Sequence, residues 1–137
     1  MYQVNFKSGT PVYLQLVDQV RYAAASGALR AGDTLPAIRT MAEELRINRN
    51  TVAKAYWEME RLGIIESIPG KGCFLKENGS PLSQEMKNKI LIGKIDEAVV
   101  TAHQTQTRPD TLKRLVEERI QFFERKKNAA QPEPTKE

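Results

Sequence analysis

Apolar residues recur at helical spacing in three stretches of the first half of the chain. Tyr13, Leu16, Val17, Val20 and Ala24 form one stripe, the pattern of a helix with a single buried face. Thr10 is placed to cap that helix and Pro11 to take its first position, where a missing N–H costs nothing. Gly27 ends it, and Leu29 to Gly32 reads as a turn. Ile38, Met41, Ala42 and Leu45 then fall at i, i+3, i+4 and i+7, predicting a short helix from near Pro36 with Arg39, Thr40, Glu43 and Glu44 pointing elsewhere. Only Arg46 and Ile47 precede Asn48, a good N-cap for a third helix. Its inward stripe is Val52, Ala55, Tyr56, Met59 and Leu62, and Gly63 is its stop. The pattern changes after that. Ile64 to Ile68 and Cys73 to Leu75 are short β-prone runs flanking Pro69-Gly70-Lys71-Gly72, the signature of a hairpin.

The second half carries two longer amphipathic stretches. Asn78-Gly79-Ser80-Pro81 marks a linker over 77–82. A helix over 83–103 follows, with Met86, Ile90, Leu91, Ile95, Ala98, Val99 and Ala102 on a wide apolar surface. Thr107 and Asp110 resemble a capping box opening a second helix that carries Leu112, Leu115, Val116, Ile120 and Phe123. Residues 128–137, rich in Ala, Pro, Glu and Lys, are expected to be disordered. Two helices of this length cannot bury a stable core alone. Their apolar positions are therefore expected to pack on the front half, on a second copy, or on both. Met86, Ile90, Leu91, Ile95, Val99, Leu112, Leu115, Val116, Ile120 and Phe123 are the expected dimerisation residues. The chain thus divides into a first domain, 1–76, the linker, a helical dimerisation region, 83–127, and the tail.

Composition narrows the function classes. The 137 residues carry 21 Lys and Arg against 17 Asp and Glu, a net charge of +4. Residues 1–76 hold ten basic and seven acidic side chains, so most of the surplus lies there. That favours a polyanionic partner. A single cysteine, Cys73, excludes an internal disulfide framework and a zinc site built on paired cysteines. No apolar run approaches the ~20 residues needed to span a bilayer. The start lacks a positive cap followed by an apolar core, so a signal peptide is not expected and the cytoplasm is the expected location. No nucleophile is paired with a positioned base, and Gly70-Lys71-Gly72 is too short for a nucleotide-binding loop. Neither enzyme chemistry, cofactor nor metal is expected.

The order helix, helix, tight turn, helix, hairpin is that of a winged helix-turn-helix, an α+β fold, here followed by a short two-helix tail. Such a scaffold offers the start of its third helix to the DNA major groove. Asn48, Arg49, Asn50 and Thr51 occupy that leading turn. Its free N–H groups suit a phosphate, Arg49 can pair with guanine, and Asn50 with adenine. Asn48 reads foremost as a cap, and for Asn50 both base reading and simple exposure stay open. Lys54 and Trp57 lie off the buried stripe. Lys54 joins the candidate DNA contacts, and Trp57 is expected to pack on the tail or a partner. Arg39 can reach an adjacent phosphate or base. Lys71, between Gly70 and Gly72 at the hairpin tip, can enter or follow the minor groove. Cys73 is expected at the base of the hairpin, His103 in solvent, and Arg125-Lys126-Lys127 at a helix C-terminus.

Leu35-Pro36-Ala37-Ile38-Arg39-Thr40-Met41-Ala42, Ile47-Asn48-Arg49-Asn50-Thr51-Val52, Ala55-Tyr56, Leu62-Gly63-Ile64-Ile65 and Gly70-Lys71-Gly72-Cys73-Phe74-Leu75 together resemble the GntR family of bacterial transcription factors. The resemblance covers residues 11–76 and implies that Arg39, Arg49, Thr51 and the Gly70–Gly72 wing contact operator DNA. Ala37 departs from the family pattern by replacing a capping serine, which costs about 1 kcal/mol unless Thr34 compensates. Ser67 and Pro69 stand where family members often place basic residues. The short tail is similar to the YtrA-like subfamily, which implies dimerisation through the tail and often control of transporter operons, with no inducer specified. A two-fold dimer predicts an inverted-repeat operator in double-stranded DNA. The competing expectation is an interaction module that has kept the winged helix and lost DNA affinity.

Overall fold

A computed structural model describes residues 2–76 and 84–130. Contacts divide the chain into two units, Met1–Pro81 and Leu82–Glu137. The expected linker at 77–82 lies outside the described residues.

In the first unit, helix α1 spans Val12–Ser26. Thr10 does not cap it. Pro11 takes the N-cap position with no side-chain cap bond, and its carbonyl accepts the Gln15 N–H at 3.1 Å. Thr10 is engaged instead by a glutamine clamp. The Gln15 side chain accepts from Asn5 N–H at 2.9 Å and donates to the carbonyls of Asn5 at 3.0 Å and Thr10 at 2.9 Å. One turn later, Gln19 accepts from Gln3 N–H at 2.9 Å and donates to the Gln3 carbonyl. The leader, residues 2–10, is thereby tied along α1, satisfying backbone groups that have no strand partner.

After the helix stops at Gly27, a two-residue strand β1, Thr34–Leu35, precedes α2, Ile38–Leu45. Ala37 caps α2 without any side-chain hydrogen bond, so Thr34 does not compensate for the missing serine. Arg46 closes α2 in the left-handed region at φ 56°. Helix α3, Arg49–Arg61, follows two residues later and runs to Leu62. Strands β2, Ile65–Ile68, and β3, Gly72–Leu75, form the hairpin. The sheet order is β1-β3-β2, antiparallel throughout, with Ile65 opposite Leu75 and Leu35 opposite Cys73. Sequence pattern alone does not reveal β1. Two residues show no alternation, and the strand exists because β3 offers an edge to pair with.

Helix α3 presents Val52, Ala55, Tyr56 and Met59, all buried, to a core built from Leu16, Val17 and Val20 of α1, Met41 and Ala42 of α2, and Leu35, Ile65 and Leu75 of the sheet. Each large apolar side chain so buried contributes about 1.5–3 kcal/mol. Tyr56 is 4% exposed and its hydroxyl donates to the Pro36 carbonyl. Burial first, then nearby Tyr2, Cys73 and Glu44, hold its pKa above the ordinary tyrosine range.

The second unit contains α4, Gln84–Gln104, and α5, Pro109–Ala130. The expected capping box does not form. Pro109 opens α5, while Thr107 N–H donates to the Ala102 carbonyl at 2.8 Å and its hydroxyl lies 2.9 Å from that of Thr105. Gln106, in the left-handed region at φ 54°, lets the chain reverse there. Residues 128–130, expected to be disordered, are helical; Ala129 and Ala130 are the strongest helix formers and extend the last turn. The rest of that expected tail, 131–137, lies outside the described residues. No helix among the described residues is long and apolar enough to cross a membrane.

Three stability outcomes follow from the α2 cap and the Tyr56 hydroxyl. Ala37→Ser should raise unfolding free energy by about 1 kcal/mol, read by urea denaturation, because Ala37 already has an extended backbone suited to a cap. Tyr56→Phe should lower it by roughly 1 kcal/mol by leaving the Pro36 carbonyl without its donor. The raised Tyr56 pKa favours the protonated hydroxyl in the folded state. Its contribution is therefore complete below the ordinary value of 10.0 and declines as pH rises beyond it. Melting temperature should fall more steeply above that pH in the parent than in Tyr56→Phe.

Candidate nucleic-acid interface

The start of α3 is a prepared helix N-terminus. Asn48 Oδ1 accepts the Asn50 N–H at 2.7 Å, and the Asn48 carbonyl accepts the Thr51 N–H at 3.0 Å. The Asn48 side chain is thus engaged as a cap. No acidic residue lies in the first turn, so nothing on the helix itself neutralises the partial positive charge there. Arg49 and Asn50 are exposed and Thr51 is half-buried. With Val52, Ala55, Tyr56 and Met59 turned inward, Asn50, Lys54 and Trp57 share the opposite face. Trp57 is 64% exposed.

Arg39 stands in the first turn of α2, exposed, with Nε 3.2 Å from Glu43 Oε1. A solvent-exposed i,i+4 pair of this kind is worth about 0.3–0.5 kcal/mol. A phosphate can replace that carboxylate at little cost. At the tip of the hairpin, Gly70 and Gly72 adopt φ of 76° and 109°. Side chains rarely take these values, and they place Lys71 at an exposed turn closed by its N–H donating to the Ile68 carbonyl at 2.9 Å. An added Cβ at either glycine would meet nothing within 4 Å, so the tip is open as well as bent. Cys73, expected at the base of the hairpin, instead stands one pair from its turn, half-buried opposite Ser67, with Sγ 3.3 Å from that hydroxyl.

Lys54 does not extend freely into solvent. Its Nζ lies 4.1 Å from the centre of the Tyr13 ring, across from α3 to α1. Periodicity places Tyr13 in the buried stripe of α1, and the ring is half-buried against the core. Its outer face meeting a cation is a tertiary fact that spacing within either helix could not signal.

The expected dimerisation residues form the other notable surface. Met86, Ile90, Leu91, Ile95 and Val99 on α4, and Leu115, Val116 and Ile120 on α5, are 42–58% exposed. Leu112 and Phe123 are half-buried. Ala102 is the only described residue of this unit that is buried. Ile92 and Val100 are also exposed, so α4 is apolar over more of its circumference than one stripe. Leu115, Val116, Arg119, Ile120 and Phe123 line an open apolar groove along α5. Among the described residues, no group of three or more His, Cys, Asp or Glu is arranged to hold a metal.

Residues 12–75 match the GntR family, described as bacterial regulatory proteins. The HTH-type transcriptional repressor YtrA of Bacillus subtilis (strain 168) is 36% identical over 103 residues, covering 75% of this chain and 79% of that one. Among solved structures, a transcriptional antiterminator from Listeria monocytogenes EGD-e aligns over 90% of this chain and 92% of its own, with TM-score 0.77 and 30% identity. YtrA from Sulfolobus acidocaldarius, a GntR-family transcription factor, aligns over 68% and 95%, with TM-score 0.54 and 32% identity.

Proposed function

Because this chain belongs to the GntR family of bacterial regulatory proteins, we propose that it is a homodimeric, sequence-specific DNA-binding repressor acting on an inverted-repeat operator, with a transporter operon as its target. Members of this family regulate transcription and are not enzymes. The observation that carries the reading is the first turn of α3, capped, free of acidic residues and exposing Arg49 and Asn50.

The elements divide the work. Helix α3 enters the major groove, where Arg49 forms paired hydrogen bonds to guanine and Asn50 to adenine. The Thr51 side chain and the partial positive charge at the start of α3 hold a phosphate, as does Lys54. Arg39 exchanges Glu43 for the DNA backbone, and Lys71 at the wing follows the minor groove. Asn48 contributes by holding the turn in shape.

The second unit supports pairing with another copy. Two helices that leave this much apolar surface in water lack a core of their own. A twin tail offers the same surface in a self-complementary arrangement. Such a two-fold axis sets the two recognition helices ~34 Å, or a multiple of it, apart along the DNA.

Selection of bound duplexes from a random pool should return an inverted repeat. Arg49→Ala should then weaken binding to that site by about 1–3 kcal/mol and relax the base preference at one position in each half-site. Equal affinity and selectivity for parent and variant would refute direct readout by this turn. For the parent, the logarithm of affinity should fall linearly with that of salt, by about 0.9 for each phosphate neutralised. Sedimentation of the intact chain should show a dimer. Joint Ile95→Glu and Leu115→Glu substitution should give a folded monomer that binds a half-site only weakly, and an undiminished dimer would refute assembly through α4 and α5.

A further inference from the structure

We propose that Tyr13 is a positioning residue for DNA binding, bracing Lys54 so that its ammonium is presented to a backbone phosphate beside the recognition helix. This rests on the DNA-binding reading above and adds to it a residue outside the helix-turn-helix.

Three observations converge. Lys54 lies on the outer face of α3, one turn beyond Asn50 and three residues before Trp57, and its Nζ sits 4.1 Å from the Tyr13 ring centre. The ring is itself held, being half-buried against the core at the second residue of α1, whose beginning is tied to the leader by Gln15. The carboxylate one turn along α3, Glu58, is occupied elsewhere, with both oxygens bonded to the Arg61 guanidinium.

A lysine has four carbons of freely rotating stem, and fixing them on a phosphate opposes binding. An aromatic face restrains the stem before DNA arrives, and it does so without consuming the charge. The ring attracts the ammonium through its quadrupole, which leaves N–H donors directed away from it for phosphate oxygens. A carboxylate in the same place would have to be displaced; the ring stays where it is.

The test is a double-mutant cycle of the full chain on a duplex selected from a random pool, read by fluorescence anisotropy. Tyr13→Leu should weaken binding about two- to fivefold, the range of an exposed cation–π contact, while Tyr13→Phe should bind like the parent. In a Lys54→Ala background, Tyr13→Leu should change affinity by less than about 1.5-fold, because positions that act through one contact are not additive. Lys54→Ala should reduce the salt slope by about 0.9, and Tyr13→Leu should leave most of it. Circular-dichroism melting of each variant separates lost binding from lost folding. The brace is overturned if Tyr13→Leu costs the same with and without Lys54, if it costs nothing, or if Phe fails as Leu does. A parent chain that binds no selected duplex would instead overturn the DNA-binding reading itself, and the brace with it.

Discussion

The first unit depends on how the inner face of α3 is buried. Val52, Ala55, Tyr56 and Met59 recur at i, i+3, i+4 and i+7, each at most 4% exposed, and they pack against α1, α2 and β2. A helix held along one face has its opposite face oriented by geometry. Asn50, Lys54 and Trp57 are therefore directed outward by residues that are themselves buried in the core. The Tyr56 hydroxyl adds direction to this packing. Its bond to the Pro36 carbonyl connects α3 to the segment immediately before α2, and so constrains the two helices of the motif relative to each other.

The polar groups around that scaffold are held to different degrees. Asn48 is committed, its side chain closing the turn it caps. Arg39 is only loosely paired, both partners being more than 60% exposed. Lys71 stands on a bend that two glycines make possible. With a net charge of only +4, the proposed DNA binding relies on a few placed cations more than on a broad basic surface. This gives weight to the way each cation is held, and Lys54 over Tyr13 is the case in which another helix does the holding.

The second unit follows a different logic. Its helices meet near the reversal at Gln106, where Ala102 is buried and Leu112 half-buried. Away from that elbow, the apolar residues of α4 and α5 stay about half in water. Helical periodicity is satisfied, yet no interior results. The exposed apolar surface is larger than an isolated helical hairpin can cover, which is why pairing with a second copy is proposed for it.

Local pattern carried much of this architecture. The helical stripes, the Asn48 cap, the glycine stop after α3 and the hairpin each depend on a few adjacent residues, whose preferences act within one turn or one strand. The leading turn of α3 was legible for the same reason. Other features lay beyond that reach. Strand β1 has no period of its own, and the glutamine clamp joins residues up to 16 positions apart. Thr10 and Thr107 look like caps by type, but their backbones are drawn into other hydrogen bonds. The Tyr13–Lys54 contact joins two helices whose spacing gives no hint of the other. Sequence alone determined which faces are apolar and where α3 starts and stops, since those are short-range properties. Only tertiary structure decided which of two plausible partners each polar group takes, because that choice depends on what the folded chain brings within hydrogen-bonding or ring-contact distance.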